Sequence, residues 1–104
     1  MTLQEFDRNL KAAFADSYEL AAPKGKQRFV VWHKYGRNII PGDDRNQVDA
    51  PKVQIDIVTN VPNDLMVDDI FAALWLMDQS FEIISEGYDD EYAAFRTILQ
   101  LVVV

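Results

Sequence analysis

Cysteine is absent from this 104-residue chain, and histidine occurs once, at His33. Disulfides, thiol nucleophiles and cysteine-based zinc sites are thereby excluded, and one chain alone cannot build a multi-histidine metal centre. Stability must come from packing. No apolar run approaches the roughly 20 residues of a membrane-crossing helix. The start, Met1-Thr-Leu-Gln-Glu-Phe-Asp7, lacks the basic region followed by an apolar one that marks a secretion signal. A protein made and used in the cytoplasm, with no membrane partner, is the expectation. Repeats, linkers and low-complexity segments are also missing, and the length suits one domain, 1–104, with a single modest core.

Positive charge is scarce in the second half. Residues 24–52 carry seven basic residues (Lys24, Lys26, Arg28, Lys34, Arg37, Arg45, Lys52) against three acidic ones, a net +4. Residues 53–104 carry ten acidic residues against Arg96 alone, a net −9. The overall charge of −7 argues against tight nucleic-acid binding, which needs clustered Lys and Arg to neutralise phosphates. Opposite charge on two segments is instead a clue to self-association.

Thr2 and Glu5 form a capping box, and Leu3, Phe6, Leu10, Ala13 and Phe14 recur at helical spacing. They predict a helix from 3 to about 19, stopped by Pro23 and Gly25. Residues 28–35 read as a strand, with Phe29, Val31, His33 and Tyr35 on one face and Val30, Trp32 and Lys34 on the other. Residues 36–51, rich in Gly, Pro, Asn and Asp, predict a long connection, mobile in the free subunit and ordered against a partner. Residues 53–59 alternate as a half-buried strand. Asp64 caps a second helix whose Val67, Ile70, Phe71, Leu74 and Met77 form a stripe, widened by Ala72, Ala73, Trp75 and Leu76. Strands at 81–86 and 92–104 flank a turn at 87–91.

The order α-β-β-α-β-β gives an α+β expectation, a four-stranded antiparallel sheet with both helices on one face. On the last strand Phe95, Thr97, Leu99, Leu101 and Val103 would face the helices. Tyr92, Arg96, Ile98, Gln100 and Val102 would then point outward with Val30, Trp32 and Val58, a face apolar enough to suggest an interaction surface.

Chemistry is harder to find. His33 lies mid-strand with no positioned partner singled out. The carboxylates Asp43-Asp44, Asp68-Asp69 and Asp89-Asp90-Glu91 do not fit a calcium loop: counted from Asp44 the twelfth position is Ile55, and counted from Asp89 the sixth is Ala94. Ser17, Ser80 and Ser85 have no Gly-x-Ser-x-Gly context. No catalytic, cofactor-binding or metal-binding residue is expected, and the protein is expected not to be an enzyme.

Several segments together carry a resemblance. They are the leading helix, the 29–35 strand, the 36–51 connection, Val53-Gln-Ile-Asp-Ile-Val-Thr59, the apolar helix, and the Tyr88-Asp-Asp-Glu-Tyr92 turn before Phe95-Arg-Thr-Ile-Leu-Gln100. Nearly the whole chain resembles the small tail-completion proteins of siphophages and prophages, the lambda-type tail terminators. The resemblance implies a homo-oligomeric ring, commonly a hexamer, that caps the finished tail tube in the host cytoplasm, joins it to the head connector and stays in the virion tail. No cofactor or catalytic residue comes with it. Charge polarity then suggests a head-to-tail interface with Lys24, Lys26, Arg28 and Arg37 set against Asp89, Asp90 and Glu91 of a neighbour, and Trp32, Ile98 and Val102 supplying apolar contact. The alternative is a small non-enzymatic adaptor or inhibitor with a ferredoxin-like sheet that binds a host protein.

Overall fold

The computed structural model describes the backbone of residues 1–41 and 47–104, and the side chains of 1–37 and 50–104. In chain order the elements are α1 (Leu3–Ala13), β1 (Ser17–Glu19), β2 (Arg28–Pro41), β3 (Gln47–Thr59), α2 (Leu65–Leu76), β4 (Phe81–Asp89) and β5 (Ala94–Val102). The strands form one mixed sheet in the order β1-β2-β3-β5-β4, with β1 parallel to β2 and every other pairing antiparallel. This corrects the four-stranded antiparallel expectation. The first helix stops six residues earlier than its stripe suggests, and the freed chain supplies a fifth strand.

Local chemistry explains the early stop. The capping box starts α1 as expected: Glu5 N–H donates to the Thr2 hydroxyl at 3.1 Å and Thr2 N–H to the Glu5 carboxylate at 3.3 Å. At the other end the Ser17 hydroxyl donates to the Phe14 carbonyl at 2.7 Å, and Val30 N–H takes the Asp16 carbonyl at 2.9 Å. A short polar side chain thus competes with the helix for its last carbonyls, and the β2 edge competes for the backbone that follows.

Residues 36–41 and 47–51 are strand rather than loop. β2 and β3 stay paired from Arg28↔Thr59 out to Pro41↔Gln47, shifted by one bulged residue at Tyr35. The part of the expected connection that remains, 42–46, lies outside the described residues.

Both helices pack on one face of the sheet. Phe6 and Leu10 of α1 and Met66, Ile70 and Leu74 of α2 close over Val30, Trp32, Ile55, Ile57, Leu99 and Leu101. Each large side chain fully removed from water in this way contributes about 1.5–3 kcal/mol. Trp32 is 1% exposed, meets Phe6 edge-on at 5.5 Å and donates its indole N–H to Asp7 at 2.9 Å. Val30 and Trp32 therefore line the core, a correction to their expected outward placement. Their strand is apolar on both faces, and because side chains alternate, a one-residue error of phase moves every residue to the other side.

Candidate interaction surface

With Val30 and Trp32 inside, the outer sheet face is more polar than expected. Gln54 bonds Gln100 at 3.3 Å and Asp56 at 3.0 Å, and Arg96 bridges two strands. Its Nη2 donates to Asp56 at 2.6 Å and its Nη1 to Asp89 at 3.1 Å, while the guanidinium carbon lies 4.9 Å from the centre of the Tyr92 ring. The bond to Asp56 leads the effects that raise the Arg96 pKa. Partial burial pushes the Asp89 carboxyl up, but the Arg96 bond and the N–H groups of Glu91 and Tyr92 outweigh this and hold it below its ordinary range. These bonds fix the β4–β5 turn to the sheet.

Residues 20–27 fold over the β2 side of the same face. Between them and the 92–94 turn lies an open cleft of about 680 Å³ floored by Phe29, Val31, His33, Asp56 and Val58. His33 meets Tyr35 edge-on at 6.5 Å. Among the described residues no group of three or more His, Asp or Glu is placed to hold a metal ion, and no helix is long and apolar enough to cross a membrane.

The sequence-predicted interface residues have different surroundings in the single chain. Lys26 bonds Asp16 at 3.0 Å, and Arg28 makes a forked pair with Asp64 at 2.7 and 2.9 Å, so both serve contacts within the chain. Lys24, Arg37, Asp90 and Glu91 are exposed, Ile98 and Val102 are half-buried, and Trp32 is in the core.

A surface that sequence reasoning missed lies along α2 and β4. Leu65, Trp75 and Leu76 of α2 are 72%, 67% and 89% exposed. The Trp75 ring stacks on Phe81 at 6.2 Å, and Phe81 opens β4, where Ile83, Ile84 and Tyr88 are exposed. The signal was present: a helix that is apolar nearly all round cannot bury every side against one sheet. β4 is also an edge strand along its whole length.

A two-stranded arm completes the picture. β3 pairs with β5 only from Lys52↔Val102 to Thr59↔Phe95, and β1 touches β2 only at Val30, Val31 and Trp32. From Arg37↔Pro51 outward, β2 and β3 therefore run on as a ribbon that no third described strand supports. No protein-family model matches the chain, and no curated protein does.

Proposed function

We propose that this chain is a structural phage or prophage protein that assembles into a ring, caps the tail tube and joins it to the head connector. The observation that carries the reading is the unsupported β2–β3 ribbon. Isolated two-stranded hairpins are marginal in water, so a chain that commits five residue pairs, Arg37↔Pro51 to Pro41↔Gln47, to one gains from a partner laid against it. The exposed apolar side chains of α2 and β4, where Trp75 stacks on Phe81, support assembly as well, since apolar side chains left in water gain from a protein contact. Resemblance to tail-completion proteins chooses among assemblies, and virion tail and host cytoplasm follow from it as part of the proposal.

The outer-face cleft favours a second reading, a monomeric adaptor or inhibitor that binds a host protein there. Light scattering of the full chain, with negative-stain images of any oligomer, separates the two. Closed rings of one stoichiometry are expected. A chain that stays monomeric at every concentration, and does not cap purified tail tubes, overturns the ring.

A further inference from the structure

Among the described residues, two stretches of strand in this sheet have a neighbour on one side only. β4 is bonded to β5 along its nine residues, and no described strand lies beyond it. β2 is bonded to β3 throughout, but on its other side β1 reaches only Val30, Val31 and Trp32, with Leu20 N–H donating to the Trp32 carbonyl at 2.9 Å. Residues 33–41 of β2 thus form a second open stretch, also of nine residues, on the opposite edge of the same sheet. Open edges present unpaired N–H and C=O groups, a template on which another strand can pair.

We propose that residues 33–41 of one copy pair with β4 of the next, so that the sheet runs on from copy to copy. The proposal rests on the ring reading above and names the contact that builds it. Because the two edges differ, each copy offers one edge and receives the other, which is the head-to-tail arrangement that closes rings.

Charge decides between this pairing and its rivals. β4 and its turn hold Glu82, Glu86, Asp89, Asp90 and Glu91, with Arg96 engaging Asp89 from the neighbouring strand. The open β2 stretch itself holds Lys34 and Arg37 and no carboxylate; on the strand beside it Lys52 sits opposite Gly36 and Asp49 opposite Ile39. β4 against β4 would bring acid to acid, and β2 against β2 base to base; like charges directly opposite destabilise strand pairs. Only the mixed contact sets opposite charges together. It also covers apolar side chains on both edges: Tyr35 is 46% exposed on one, Ile83 and Ile84 are each 47% exposed on the other. Tyr35 and Ile84 are the extra residues where the two ladders slip, and a bulge on each edge disfavours pairing with an arbitrary flat strand.

The absence of cysteine makes the test clean. Full-length Tyr35→Cys and Lys34→Cys variants, one set carrying a mass tag, are mixed in each combination with Ile84→Cys and Ser85→Cys and mildly oxidised. Circular dichroism checks that each variant is folded. The expected result is a disulfide-linked species of mixed composition at twice the 11.9 kDa chain mass, plus the tag, in at least one mixture and in neither variant alone. Cross-linking of Ile84→Cys with itself would establish two-fold β4 pairing and overturn the proposal. Rings that form without any mixed cross-link overturn it while leaving the ring reading standing. Mixed cross-links that build open chains in place of closed rings keep the strand contact and remove the ring reading, and a chain that neither cross-links nor associates removes both.

Discussion

Arg28 and Asp64, 36 residues apart in sequence, are joined by two hydrogen bonds, Nε to Oδ2 at 2.7 Å and Nη2 to Oδ1 at 2.9 Å. The same carboxylate accepts the Met66 N–H at 3.0 Å, which caps α2, and the Thr59 hydroxyl at 2.6 Å, which ends β3. One buried side chain thereby ties β2, β3 and α2 together. Its bonds, Arg28 foremost, outweigh burial and hold the Asp64 carboxyl well below its ordinary range.

Replacing Asp64 should therefore be costly in two separable ways. Asp64→Ala removes a helix cap, about 1 kcal/mol, and strands the Thr59 hydroxyl, about 1–3 kcal/mol; a loss of about 2–4 kcal/mol in urea unfolding is expected. The pH dependence has a definite sign. A carboxyl whose folded pKa is depressed stabilises fully above its unfolded value of about 3.9 and loses that contribution as pH falls below it. Wild-type stability should drop as acid is added through that range, and Asp64→Asn should show a shallower drop. Equal slopes in the two proteins would remove Asp64 as the source.

The two tryptophans should behave as opposites. Trp32→Ala empties a core site and should lose about 3–5 kcal/mol. Trp32→Phe keeps most of the volume but forfeits the bond to Asp7, a loss of about 0.5–1.5 kcal/mol for the bond. Trp75→Ala, at 67% exposure, should stay within about 0.5 kcal/mol of wild type. Fluorescence gives an independent check, since Trp75→Phe leaves one shielded indole with blue-shifted emission and Trp32→Phe leaves one that acrylamide quenches. Emission in the reverse order would contradict the phase of β2.

That phase shows what was legible in the sequence and what was not. The capping box at Thr2 and Glu5, the Asp64 cap and the Val53, Ile55, Ile57 alternation are local signals, and each appears in the structure where its residues predict it. Phe29 to Tyr35 is apolar on both sides, so alternation alone cannot say which set meets the helices; Phe6 decides it by packing on Trp32. β1 was illegible because three residues, Ser17, Tyr18 and Glu19, have no period of their own and become a strand only through the β2 edge. The turn-rich composition of 36–51 hid a ribbon whose pairing comes from the partner strand. As for the candidate surface, the charge asymmetry was visible, but its internal use by Arg28, Lys26 and Arg96 depends on residues distant in sequence.

Arg96 offers a test of geometry rather than charge. Its two terminal nitrogens reach Asp56 on β3 and Asp89 on β4 at once, across the strand that lies between. Lysine carries the same charge but no fork, so Arg96→Lys should keep one contact and lose about 1–2 kcal/mol. A double-mutant cycle of Arg96→Lys with Asp56→Asn should show a coupling of about 0.5–3 kcal/mol. Strict additivity would mean that the bridge contributes nothing beyond its separate charges.

The ribbon should be dispensable for folding and contribute to assembly. Arg37↔Pro51 and Asn38↔Ala50 are the last pairs near the sheet proper, and the Val103 N–H donates to the Pro51 carbonyl at 2.9 Å, so the chain is anchored at that level. Replacing residues 39–49 by Asn-Gly joins Asn38 to Ala50 through a two-residue turn whose twist suits the flanking strands. β3 keeps its pairing with β5 from Lys52 to Thr59, and the core residues from Val53 onward are untouched. Urea unfolding should move by less than about 1 kcal/mol, within the range of surface changes and loop shortening. Light scattering should show a weakened oligomer, because Ile39, Ile40 and Pro41, a third of the open β2 stretch, are gone while β4 remains intact. If the shortened chain unfolds instead, the ribbon is part of the fold; if it assembles as well as the full chain, residues 39–49 take no part in the contact between copies.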